Sequence, residues 1–207
     1  MWVDAVSQHG LPVAGIYLLP MVNENLLAKL QIKQPRLLLA SIDSAGLRLT
    51  FLRDQKLRVS RLAHVETSGA QPIRNYAEEI SNTRLYLHAL RILTLDEQLT
   101  VLVVDPNDAL TELTEIVSHD NPNLECRRLG RDEIITRLGV SGPALDSSAA
   151  SLSLHLLGLR APEGNLAPAH VTAGYRQRQA RHGLYALAGA IACCTVLWCA
   201  FDWYKIF

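Results

Sequence analysis

Apolar and polar positions follow two different periods along most of the chain and merge into one unbroken apolar run near its end. Leu11–Leu19 (LPVAGIYLL) reads as a short buried strand. Val22, Leu26, Leu27 and Leu30 then share a face at helical spacing, predicting a helix over about Val22–Leu30 before the break at Pro35. Arg36–Ile42 (RLLLASI) is nearly continuous in apolar residues, as a central strand is. Leu47-Arg48-Leu49-Thr50-Phe51 and Leu57-Arg58-Val59-Ser60 alternate at period two. Asp43-Ser44-Ala45-Gly46 and Arg53-Asp54-Gln55-Lys56 supply turns between them. Three strands and two tight turns predict a β-meander.

The second half of this region mixes both periods. Asn75, three residues before Glu78, predicts a reciprocal helix cap. Tyr76, Ile80, Thr83, Leu87 and Leu90 carry the helical stripe that follows. Leu99–Val104 (LTVLVV) is rich in β-branched residues and predicts a buried strand. Asp105-Pro106 predicts the start of another helix, with Leu110, Leu113, Ile116 and Val117 as its apolar stripe. Leu124–Leu129 reads as a strand, Arg131–Leu138 as a helix stopped by Gly139, and Leu152–Leu159 as a short helix. Ser141–Ser153 reads as a loop, and Ala161–Gly174 as a tether. Alternating strands and helices predict an α/β domain with a mixed sheet covered by helices.

Gly183–Phe201 (GLYALAGAIACCTVLWCAF) is an uncharged run of roughly 19 residues, about what a helix needs to cross a ~30 Å hydrocarbon core. Its polar approach is Tyr175–His182, with Arg176, Arg178, Arg181 and His182; Asp202, Trp203, Tyr204 and Lys205 follow it. The basic side predicts a cytoplasmic N-terminus, and Trp198, Trp203 and Tyr204 suit the opposite interface. The organisation expected is a cytoplasmic α/β domain over 1–160, a tether and basic juxtamembrane segment over 161–182, a transmembrane helix over 183–201 and a short periplasmic tail over 202–207. Ala186 and Ala190, beside Gly189 and Cys193, form small-xxx-small pairs through which two such helices could approach as a homodimer.

Composition narrows the chemistry. With 20 basic and 20 acidic residues the net charge is zero, which leaves no electrostatic footprint for nucleic acid. Three of the four cysteines lie in the apolar run, so Cys126 is alone outside it and no disulfide framework is expected. The seven histidines include no pair at i, i+4, so no zinc-like cluster is expected. Glu78 and Glu79 are adjacent and point to different sides of a helix rather than converging. Gly139-Val140-Ser141-Gly142 begins like a nucleophile elbow, but Pro143 replaces its last glycine. No P-loop or dinucleotide fingerprint is present.

The meander SIDSAGLRLTFLRDQKLRVSRLA, the helix NYAEEISNTRLYLHAL and the strand–helix pair QLTVLVVDPNDALTELTEIV together resemble the second half of an actin-like (ribonuclease H-like) ATPase fold. With one membrane helix after them, the chain is similar to the PilM-like and GspL-like proteins of type IV pilus and type II secretion assembly platforms. The resemblance covers about Val13–Leu159 and the position of the span. It implies an incomplete actin-like domain in a bacterial inner-membrane scaffold, a component or reduced paralogue of such a platform, docking other platform proteins. The departures bear on the nucleotide. Actin-like sites bring glycine backbone close to phosphate. Here the first phosphate hairpin has no counterpart, so the chain is expected to begin partway through the fold; the periplasmic domain common in such proteins has no counterpart either. Asp43-Ser44-Ala45-Gly46 keeps an acid and one glycine, while Asp105-Pro106-Asn107 keeps no glycine. The implied ATP site is degenerate. No catalytic, cofactor-binding or metal-binding residue is therefore assigned, no cofactor is expected, and the protein is not expected to be an enzyme. Two alternatives stay open: a membrane-anchored ATP-binding switch or enzyme using the turn around Asp43, and a tail-anchored protein unrelated to pili.

Overall fold

The alternation in Arg36–Ala63 becomes three antiparallel strands, β1 (Arg36–Asp43), β2 (Gly46–Arg53) and β3 (Lys56–Ala63). Between β2 and β3 the loop is two residues long, and both Asp54 and Gln55 take positive φ, the twist that suits a tight hairpin. Two further strands, β4 (Leu99–Val104) and β5 (Leu124–Leu129), run parallel to β1 and complete a mixed sheet in the order β3-β2-β1-β4-β5. Every residue of β4 is buried, as its apolar run requires.

In this computed structural model residues 5–6, 9, 11–65, 72–121, 123–140 and 149–206 are described. They belong to two units: Leu18–Glu163, which contains the sheet, and Met1–Tyr17 with Gly164–Phe207. In the first unit, helices α1 (Leu19–Leu30), α4 (Arg131–Leu138) and α5 (Ala150–Leu159) cover one face of the sheet. Helices α2 (Pro72–Ala89) and α3 (Thr111–Asp120) cover the other. The period of two decides the sides: Leu37 and Leu39 of β1 pack under α1, and Leu38 and Ala40 pack under α2. Full burial of Leu26, Leu27 and Leu30 on α1 is worth about 1.5–3 kcal/mol each. Polar groups in this layer are matched: Asn23 of α1 donates to the Thr50 hydroxyl at 3.3 Å, which lies 3.2 Å from the Ser60 hydroxyl. Gly139 ends α4 with φ 69°, a left-handed cap that glycine takes without strain.

The α/β class, the meander, the mixed sheet, β4 and β5 agree with the sequence pattern. Four local expectations do not. Leu11–Leu19 is not a strand: residues 11–18 are irregular and Leu19 opens α1. Its backbone is satisfied locally within the second unit, where the Asn165 side chain accepts from Ile16 N at 3.0 Å and donates to Ala14 O at 3.2 Å. Leu166 N also donates to Ile16 O at 2.9 Å. An apolar run with no sheet neighbour has no reason to be a strand. Second, α2 starts at Pro72, whose fixed φ fits a first turn, so Asn75 lies inside the helix and not at its cap. Third, α2 ends at Ala89, and Leu90 is 44% exposed in the turn beyond it, not part of the buried stripe. Fourth, Asp105-Pro106 does not open a helix; α3 begins five residues after Pro106, at Thr111. The first eight residues of the loop expected over Ser141–Ser153 lie outside the described residues, as do Ser141 and Gly142 of the elbow-like sequence.

The second unit is dominated by α6 (Ala169–Ile206), one continuous helix of 38 residues that begins within the expected tether and includes the apolar run.

Candidate functional site

In α/β sheets ligands collect at the carboxyl ends of parallel strands. Here that end carries two acids, Asp43 closing β1 and Asp105 just after β4, on neighbouring strands. Both are already engaged. Asp43 Oδ1 accepts the Ala45 N–H at 2.8 Å, and its Oδ2 accepts from Arg48 Nε at 3.2 Å. That local geometry is an Asx-type turn followed by an ion pair across the hairpin. Gly46 has its own structural reason. Its φ is 130°, and a Cβ there would lie 2.6 Å from the Ala63 carbonyl oxygen of β3. The acid and the glycine of this turn are thus both accounted for by the meander.

Asp105 is 1% exposed and holds three donors. Ala109 N–H donates to Oδ1 at 3.0 Å, Leu110 N–H to Oδ2 at 2.9 Å, and Arg128 Nη1 to Oδ2 at 3.2 Å. Its carboxylate closes the loop that the sequence pattern assigns to a helix start. Arg128, on β5, also bonds Asp108, whose other contact is the Arg131 N–H at the start of α4, at 3.1 Å. Burial works against the Arg128 charge, but the two carboxylates outweigh it and hold the guanidinium protonated beyond its ordinary range. This Asp105–Arg128–Asp108 cluster joins Arg128 to acids 20 and 23 positions away. Nothing in the local pattern flags it, except that alternation along β5 puts Arg128 on the same side as the half-buried Cys126.

Elsewhere in this unit, an open groove of about 700 Å³ runs between α2 and α3. Its rim carries Arg74, Glu78, Glu115 and Asp120 over a floor of Ala77 and Val117. Glu79 turns away from Glu78 and pairs with Arg61 of β3 at 2.7 Å. Cys126 titrates at about 11 because burial disfavours its thiolate, which makes it an inert thiol rather than a nucleophile. Among the described residues no group of three His, Cys, Asp or Glu side chains is placed to hold a metal ion.

The most exposed apolar surface is on α6. Leu184, Leu187, Ile191, Val196, Leu197 and Trp198 are each more than half exposed. Among the described residues none buries its apolar window, which is long and apolar enough to cross a membrane. At 1.5 Å per residue, Gly183–Phe201 spans about 28 Å. The Thr195 hydroxyl donates back to Ala192 O at 2.8 Å, so this polar group is satisfied within the helix itself. Beyond it, Lys205 Nζ sits 4.5 Å from the Phe201 ring centroid.

No protein-family model matches the chain, and no curated protein matches it.

Proposed function

We propose that this chain is a single-pass inner-membrane scaffold, an incomplete actin-like relative of the PilM-like and GspL-like platform proteins, that acts by protein–protein docking and carries out no catalysis. The observation that carries the reading is the bare apolar stretch of α6, a surface that water penalises and lipid accommodates. The element order supports the actin-like part: a meander, a helix, a strand parallel to β1, a helix and a second parallel strand. Arg176, Arg178 and Arg181 before the span support a cytoplasmic N-terminus. The internal engagement of Asp43 and Asp105 supports docking over nucleotide chemistry.

The test is crosslinking of the tagged protein in its native membrane, followed by mass spectrometry of what co-purifies. Recovery of pilus or secretion platform components is the expected result; recovery of the protein alone removes the platform assignment. A reporter fused after Phe207 checks orientation and is expected to be active on the periplasmic side.

The placement of Asp43 and Asp105 at one end of parallel strands favours one second reading, an ATP-binding switch. Titration with millimolar magnesium–ATP separates the two. A thermal shift that Asp43→Ala abolishes would establish the switch.

A further inference from the structure

The positive charge at the start of α6 is more organised than orientation alone requires. From Gly164 to Phe201 the chain contains no acidic residue, and its basic residues there are three arginines, no lysines and two histidines. Arg176, Arg178 and Arg181 are all exposed, and among the described residues none has a hydrogen-bond or ion-pair partner. They stand on a continuous helix, so their depth follows from its rise. Counting 1.5 Å per residue outward from Gly183, Arg181 lies about 3 Å, Arg178 about 8 Å and Arg176 about 11 Å outside the apolar stretch. The headgroup layer on each side of the hydrocarbon core is about 5–8 Å deep. Arg181 and Arg178 fall at or inside its outer edge, and Arg176 lies just beyond it. Successive arginines lie about 200° and 300° apart around the helix, so the charge forms a collar rather than a stripe. Guanidinium groups suit this position, because their planar fork bonds phosphate oxygens in pairs while the stem lies along apolar surface.

Resting on the membrane-span reading of α6, we infer that Arg176, Arg178 and Arg181 bind the phosphate groups of anionic phospholipids and select those lipids around the helix. Each arginine near an anionic surface favours it on the order of fivefold. First-shell lipid selection exchanges one headgroup for another and reads only part of that attraction, so about threefold or more is expected.

The test uses the full chain in vesicles of phosphatidylcholine alone and in equal mixtures of phosphatidylcholine and phosphatidylglycerol. Resistance to sodium carbonate extraction reads the span by itself. Electron spin resonance of spin-labelled lipids reads the preference for phosphatidylglycerol over phosphatidylcholine at the protein boundary. The wild-type chain is expected to insert in both membranes and to prefer phosphatidylglycerol; Arg176→Gln/Arg178→Gln/Arg181→Gln should insert equally and lose the preference. The corresponding triple lysine variant keeps the charge and should retain only part of it. No preference in the wild type, or a preference unchanged in the glutamine variant, overturns the inference while leaving the span intact. Extraction by carbonate from both membranes would instead overturn the span reading, and the inference with it. Inorganic phosphate added at constant ionic strength should leave the preference unchanged; its loss would assign the arginines to a soluble phosphate ligand and overturn the lipid assignment.

Discussion

Asp105→Ala is the substitution whose cost can be worked most directly from the geometry. The variant deprives three donors of their acceptor. They are not equivalent. Ala109 is exposed, so its N–H regains water at a net cost of about 1 kcal/mol. Leu110 is 9% exposed, and its N–H, left buried without an acceptor, costs about 1–3 kcal/mol. Arg128 keeps Asp108 and reaches solvent, so its share is at most about 1 kcal/mol. The total is about 2–5 kcal/mol, a large part of the 5–15 kcal/mol that holds an ordinary domain together. Asp43→Ala is the control: its partners, the exposed Ala45 N–H and part-exposed Arg48, both recover water, for about 1 kcal/mol. Cys126, on the strand that carries Arg128, reports opening once Cys193, Cys194 and Cys199 are replaced by alanine. Thiol labelling under native conditions should be about 30 to 5,000 times faster in Asp105→Ala and about fivefold faster in Asp43→Ala, relative to the parent. Equal rates in the two variants would refute the assignment of Asp105 as the residue that closes the β4–α3 loop.

Four other outcomes are expected. The folded Cys126 thiol titrates at about 11 against an ordinary 9.0, so the folded state binds this proton more tightly. Its contribution is complete below about pH 9 and falls as pH rises towards 11; the denaturation midpoint of the wild type should therefore drop further over that interval than that of Cys126→Ala. Gly46→Ala combines a φ of 130° with a Cβ 2.6 Å from the Ala63 carbonyl and should cost about 2 kcal/mol or more in urea unfolding. Gly139→Ala, with φ 69° and open space around it, should cost about 1 kcal/mol in the same assay. Ala190→Ile should weaken self-association in a membrane two-hybrid assay if two copies meet through Ala186 and Ala190; an unchanged signal removes that face from consideration.

What was legible in the sequence was whatever a period could carry. Leu47, Leu49 and Phe51 alternate with Arg48 and Thr50, and the three apolar side chains pack on one face because a strand has only two; Thr50 is buried on the other, where Asn23 meets it. Gly183–Phe201 was legible because its length and lack of charge require no tertiary information. Leu11–Leu19 misled because an apolar run is equally consistent with a strand or a loop until a neighbour is known, and its neighbour, Asn165, lies about 150 residues away. Asp105-Pro106 misled because the acid does cap backbone N–H groups, but those of the loop that precedes α3. At the sheet end the acids were visible and their partners were not. Arg48 pairs across a hairpin and Arg128 from a parallel neighbour, and neither relation leaves a mark in local spacing.

Strand β1 has one neighbour close in sequence and one far away, and this sets an order of assembly. Leu38 pairs with Phe51, 13 residues on, and with Val101, 63 residues on. Closing the longer connection costs about 1.4 kcal/mol more in chain entropy. The meander is therefore expected to form first, with β4 docking onto an edge that already exists. Until it does, that edge offers Leu37, Leu38 and Leu39 with an unpaired backbone ladder to any strand nearby. Quick arrival of residues 99–104 would shorten the time in which that edge could meet another chain's strand instead of its own β4.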